Sequence, residues 1–281
     1  MLDQPAVAAG RRIIDRYAAA EGGLLAGGLA YAALFAIVPA VLLLAGVGGL
    51  VYADPAERAE VVAVLVGVLP PMRDLIETVL TEVARDAAPV SILGGIALIW
   101  GTSRFVVGFQ GAIARVMGGE QRRGLLVSNL AAIGAVVLMV AVIPVSAVLS
   151  AMVAFLEIGE QLGIIQVAST ALSLALGVLP VVATLFAMVL VYRIVPSPTP
   201  SWRAAIPPGI TVGLALTVVA RLFAFLAPKL IGAAALIGTL ATVFAALAWL
   251  ALSFQAILIG AAWVRDRGER MTPPGARALE P

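Results

Sequence analysis

The sequence predicts an all-α integral membrane protein of six transmembrane helices, kinked by proline, with an amphipathic helical hairpin on the outer face between spans 1 and 2. Three observations predict it. Of 281 residues, 62% are hydrophobic and 12% charged, with a mean hydropathy of +1.09, whereas a soluble domain is about a quarter charged. The apolar runs are unbroken rather than alternating, which excludes a transmembrane β-barrel. Several of them exceed the ~20 residues that cross a bilayer core.

Residues 1–23 place Arg11, Arg12 and Arg16 on one side of a helix and Ile13, Ile14 and Tyr17 on another. This is either a helix lying on the cytoplasmic membrane surface or a solvated helical lead-in. Asp3, Asp15 and Glu21 precede a first apolar run far longer than the ~7–15 residues of a signal core, so no cleaved leader is expected. The transmembrane domain covers 24–264, and its first span, 24–51, contains Gly27, Gly28, Tyr31 and Pro39. Residues 53–89 hold many of the acids, and Met72, Leu75, Ile76, Val79, Leu80 and Val83 recur at helical spacing. That pattern gives the amphipathic outer hairpin.

The second span is 90–114, and a basic turn follows from Arg115 to Arg123. The third, 125–156, carries Pro144, and a short acidic loop with Glu157 and Glu160 leads to the fourth, 166–192, which carries Pro180. A Pro-rich connection, 193–203, precedes the fifth span, 204–226, and the sixth covers 231–264. Residues 265–281 form a basic, then Pro/Gly-rich tail, expected to be disordered and cytoplasmic. Six spans put both ends on one side. Twelve of 18 basic residues fall on the N-terminal side and four on the other, with Arg104 and Arg221 inside spans. The positive-inside rule then makes both termini cytoplasmic. Because the basic residues sort by loop in this way, the pI near 9.4 is a topology signal and no nucleic-acid partner is expected.

The chain has neither histidine nor cysteine, so it lacks imidazole bases, thiol nucleophiles and the commonest metal ligands. No metal or cofactor is expected. A serine hydrolase would lack its base, an intramembrane aspartyl protease would lack aspartates within spans, and no P-loop is present. No catalytic residues and no enzyme activity are expected.

Arg104 is the leading functional candidate. It follows Thr102 and Ser103 about ten residues before the cytoplasmic end of the second span, roughly 15 Å inward at the helical rise. An arginine at that depth costs about 2.5–3.5 kcal/mol on insertion scales, and no Asp or Glu lies within a span to pair with it. Its possible partners are Tyr31, Gln110, Gln255, carbonyls freed near Pro39 or Pro180, or a lipid phosphate. The plain alternative is a structural arginine tied to carbonyls, or one snorkelling inward. Arg221 lies nearer the outer face, with Lys229 close to a loop, and either holds an anionic headgroup or snorkels outward. The three prolines and Gly27, Gly28, Gly101, Gly108, Gly238 and Gly260 serve as kinks and close-packing points, or as broken helices around a site.

Four segments resemble the YihY/BrkB family of bacterial inner-membrane proteins, some of which carry an old ribonuclease BN label. They are Leu29-Ala-Tyr-Ala-Ala-Leu-Phe-Ala-Ile-Val-Pro39; Trp100-Gly-Thr-Ser-Arg104 continuing to Ala114-Arg115; Tyr192-Arg-Ile-Val-Pro196 with Trp202-Arg-Ala-Ala-Ile-Pro207; and Ile237-Gly238, Trp249 and Gln255 to Ala262. The resemblance covers about residues 20–265 and departs at Ala32, where a second tyrosine is common, and near Trp263, where many relatives have asparagine. It implies six spans and an envelope role, with links to lipid or lipopolysaccharide-precursor export, and no established catalytic residues. A metal-dependent ribonuclease needs clustered His and Asp ligands, so that label is rejected for this chain.

Two functions follow as expectations. The first is binding or moving membrane lipids or anionic envelope precursors through a cavity near Arg104, with Arg221, Tyr31, Ser103, Gln110 and Gln255 as further contacts. The second is a non-transporting scaffold for envelope integrity in the inner membrane, working through the outer hairpin as a homo-oligomer or with an envelope partner protein.

Overall fold

The structure, a computed structural model, describes residues 5–51, 87–119, 178, 181–182, 184–196, 199–233 and 239–271. All regular structure among them is helical: α1 (Pro5–Ala19), α2 (Gly22–Val51), α3 (Ala87–Met117), α4 (Thr184–Ile194), α5 (Trp202–Ala233) and α6 (Thr239–Met271). Segments Gly95–Met117, Trp202–Leu226 and Leu240–Met271 are each long and apolar enough to cross a membrane. α1 and the first part of α2 pass the same test together, as a pair bent by 61°. The outer hairpin up to residue 86, the third span with Pro144, the fourth span up to 177, Pro180 and Gly238 lie outside the described residues.

Two expected boundaries shift. α5 runs on to Ala233 and α6 begins at Thr239, not at 231. Lys229 looked like the edge of a loop, but it stays helical and sets its ammonium 3.8 Å from the centre of the Phe225 ring, one turn back. The last helix also continues through Met271, seven residues into the segment expected to be disordered. Two i,i+4 ion pairs support that extension, Arg265 with Glu269 and Asp266 with Arg270.

α6 is the common neighbour, touching α1, α2, α3 and α5, while α2 packs most extensively on α3. In lipid, helices gain little hydrophobic drive from meeting each other, so they associate through close packing of small residues. Gly101 of α3 shows why. A Cβ there would lie 3.0 Å from the Phe35 carbonyl and 3.2 Å from the Ala36 Cα. That carbonyl stands four residues before Pro39, which has no N–H to bond it, and α2 runs through Pro39 as one helix. One side of α2 (Ala26, Leu29, Ala30, Ala33) and one side of α3 (Ala112, Ile113, Val116) are buried in the same core. A Cβ on Gly108 would meet Leu29 at an ordinary 3.6 Å, whereas Gly27 and Gly28 have no close neighbour among the described residues.

α4 crosses α5 at Gly209 and Gly213, a spacing of four that puts both on one helix face. Cβ atoms there would lie 2.8 Å from the Val189 Cα and 2.9 Å from the Leu185 Cα. α4 also inserts Tyr192, fully buried, against α6. Its hydroxyl donates to the Ile257 carbonyl at 2.7 Å and occupies the space that a Cβ on Gly260 would need. At the start of α5, Ser201 caps the helix by accepting from the Ala204 amide. Pro207 leaves the Arg203 carbonyl without its helical donor, and Arg267 donates to that oxygen at 3.4 Å.

Gly213→Val is expected to force α4 and α5 apart and cost about 1–3 kcal/mol, read as a lower thermal-unfolding midpoint in detergent. Gly27→Ala, which meets nothing among the described residues, is expected to hold or raise the midpoint, because alanine is favoured over glycine in a helix by about 1 kcal/mol.

Candidate functional site

Along α3 the residues Ile96, Trp100, Arg104 and Gly108 form an exposed stripe one turn apart. Arg104 lies on it, with its guanidinium carbon 5.9 Å from the centre of the Trp100 ring. It makes no hydrogen bond to a described residue, and the carbonyl freed by Pro39 faces Gly101 instead. A cleft among the described residues lies elsewhere and does not include Arg104.

The other expected site residues are scattered. The contacts of Gly101 with Phe35 and Ala36, and of Gly108 with Leu29, set an antiparallel register that puts Tyr31 within a turn of Arg104 in depth. Tyr31 is exposed and leans on Phe35, ring centres 4.6 Å apart. Ser103 is half-buried, as are Gln110 and Gln255. The Gln110 carbonyl oxygen is out of reach of solvent and has no partner among the described residues. Arg221 sits on an exposed apolar stripe of α5 with Val218, Leu222 and Phe225. α3 and α5 form no extended contact with each other, so Arg104 and Arg221 are not brought together.

The structure instead gathers charge at one end of the bundle. Arg12 and Arg16 of α1 reach the end of α6, where Asp266 is only 4% exposed. Its carboxylate takes Arg12 at 3.3 Å, Arg16 at 3.9 Å and Arg270 at 2.8 Å. Glu269 accepts from Arg16 and, at 2.9 Å, from Arg265. α6 is 33 residues long, or roughly 50 Å at the helical rise against a hydrocarbon core of about 30 Å. Its charged last two turns therefore project past the apolar part of the bundle. Of the arginines assigned by sequence to the N-terminal side, Arg12, Arg16, Arg115, Arg203, Arg265, Arg267 and Arg270 meet here from α1, α3, α5 and α6.

Local backbone shapes this end. α3 closes at Gly118, where φ is +70°, with the Gly118 amide bonded to the Arg115 carbonyl and the Gly119 amide to that of Ala114. Glycine is needed there for two reasons. The left-handed conformation disfavours a side chain, and a Cβ would collide with the Arg265 guanidinium. Arg265 in turn donates to the Val116 carbonyl at 3.4 Å, a cation on the negative end of a helix. The α1–α2 bend places Glu21 at φ +55°. Between these parts lies a cleft of about 530 Å³ lined by Arg16, Ala19, Ala20, Glu21, Arg115, Val116 and Arg265. Sequence reasoning missed it, although Asp266 and Glu269 one turn from basic partners were a usable signal.

Long helices with apolar outer faces, and arginines collected at one end, define a helical membrane protein. The chain belongs to the BrkB family (YihY/BrkB), since the family model described as "Virulence factor BrkB" matches residues 13–279. No curated protein and no solved structure matches it.

The Glu269 carboxyl is held below its ordinary range, first by the hydrogen bond from Arg16 and against an opposing rise from burial, with Arg265 adding to the lowering. A lowered carboxyl stabilises the fold above its unfolded-state pKa and loses that contribution as pH falls through the folded value. The α1–α6 junction is therefore expected to hold at neutral pH and loosen below about pH 4. Glu269→Gln should reproduce the loosening at pH 7. Hydrogen exchange checks it: α1 amides should exchange faster and α3 amides should not change.

Proposed function

We propose that the chain is a six-span inner-membrane protein that binds or moves lipids or anionic envelope precursors, with Arg104 meeting the anionic headgroup. The observation that carries this reading is the exposed guanidinium of Arg104 among Ile96, Ile99 and Trp100, with no carboxylate partner among the described residues. Arg115 supports the assignment of depth, because it lies roughly 16 Å along α3 from Arg104 at the helical rise. A membrane boundary near Arg115 thus puts Arg104 at about the bilayer midplane. Stacking on Trp100 is worth about 0.5–2 kcal/mol, less than the ~2.5–3.5 kcal/mol of placing an arginine at that depth. A headgroup phosphate, drawn in with its water, supplies the missing counter-charge. The headgroup would reach Arg104 through a cavity bordered by the exposed stripe of α3.

The gathering of basic residues from α1, α3, α5 and α6 at one end supports cytoplasmic termini under the positive-inside rule. No catalytic step is part of this proposal. Membrane lipids are the partners, and the outer hairpin is where an envelope protein or a second copy would attach.

The test is Arg104→Gln, reconstituted in vesicles with a fluorescent anionic lipid. The flip rate is expected to fall about tenfold, the equivalent of about 1.4 kcal/mol, with Arg104→Lys intermediate. An unchanged rate in a correctly folded variant rejects arginine-assisted movement and leaves the scaffold reading.

A further inference from the structure

We propose that the cleft between α1, α3 and α6 is a binding site for a phosphomonoester, a site separate from Arg104. Three helices each deliver one arginine to it: Arg16, Arg115 and Arg265. Its volume of about 530 Å³ falls within the usual range of ligand sites, about 300–1,000 Å³.

The chemistry of the lining selects the ligand. Among the described residues, five guanidinium groups stand around the cleft and its ion-pair network, on Arg12, Arg16, Arg115, Arg265 and Arg270, and three carboxylates, on Glu21, Asp266 and Glu269. The surplus is two positive charges. A phosphomonoester carries about −1.5 to −2 at neutral pH and three acceptor oxygens, whereas a phosphodiester carries one charge and a zwitterionic headgroup no net charge. Planar guanidinium groups suit phosphate oxygens better than ammonium groups do, because their donors form a fork.

Two donors are left for such a ligand. Arg115 is exposed and has no hydrogen-bond or ion-pair partner among the described residues. Arg16 commits Nη2 to Glu269, while its Nη1 is buried and has no partner among the described residues. A buried donor in that state destabilises the fold, and a small opening of the cleft around an oxyanion would recover the loss. Arg265 is held in place over Gly118, against the end of α3. The cleft lies where α3 leaves its apolar run, at headgroup level, so the phosphate arrives either on a lipid or as the free ion.

The test is calorimetric titration of the full chain in neutral detergent with inorganic phosphate, and with mixed micelles carrying phosphatidic acid, phosphatidylglycerol or phosphatidylcholine. Phosphatidic acid is expected to bind, phosphatidylglycerol more weakly and phosphatidylcholine not at all. Binding of phosphatidic acid without inorganic phosphate assigns the site to a lipid, and binding of inorganic phosphate assigns it to the phosphate group itself. Arg115→Gln should weaken binding about tenfold, as expected for one charge-assisted hydrogen bond, and Arg115→Lys should restore part of it. Glu21→Gln should tighten binding, a change that a misfolded variant would not produce. Equal binding of phosphatidic acid and phosphatidylcholine, no binding of any probe, or an unaltered Arg115→Gln overturns the site. The lipid-movement reading is read from the flip rate of Arg104→Gln and this site from inorganic-phosphate binding by Arg115→Gln, so failure here and failure of that reading are separable.

Discussion

Close backbone approach is the constraint on which the rest of this structure depends. Inside a bilayer, lipid tails are as apolar as leucine, and helices hold together only where they fit. Among the described residues, Gly101 against Phe35, Gly209 and Gly213 against α4, and Gly260 under the Tyr192 hydroxyl are such places. Each removes a Cβ that would otherwise hold two helices apart. Tyr192 then adds a buried hydrogen bond to the Ile257 carbonyl, which ties α4 to α6 in direction as well as distance.

Proline works alongside glycine in this scheme. Pro39 frees the Phe35 carbonyl, and Gly101 lets α3 lie against it. Pro207 frees the Arg203 carbonyl, and Arg267 from α6 supplies a donor. In both cases a lost helical hydrogen bond marks a contact between helices. Pro39 and Pro207 thus mark joining points between helices.

The helical membrane class was legible because composition and run length alone demand it, and α2 and α3 follow the expected spans closely. The end of α5 was not legible, since Lys229 looks like a loop residue until its cation is seen over Phe225. The tail was misjudged for a related reason. Charge density suggested disorder, whereas Arg265, Asp266, Glu269 and Arg270 neutralise one another across a turn and against α1. Arg104 was legible as an unusual residue, but not its outward direction. Direction depends on which face of α3 the glycines turn toward α2, and that is the face of Gly101 and Gly108, against Phe35, Ala36 and Leu29. The arginine cleft needed three helix ends from distant parts of the chain, and no local pattern encodes that.

The projecting end of α6 divides the molecule by ionic strength. Its junction with α1 rests on Arg12, Arg16, Asp266 and Glu269, partly open to an aqueous phase in which charges are screened over about 8 Å at physiological salt. The glycine seams inside the bilayer carry no net charge and meet no ions. Raising salt therefore slackens the N-terminal helix and leaves the membrane-embedded packing as it was, so among the described residues the cell's ionic composition acts on one end.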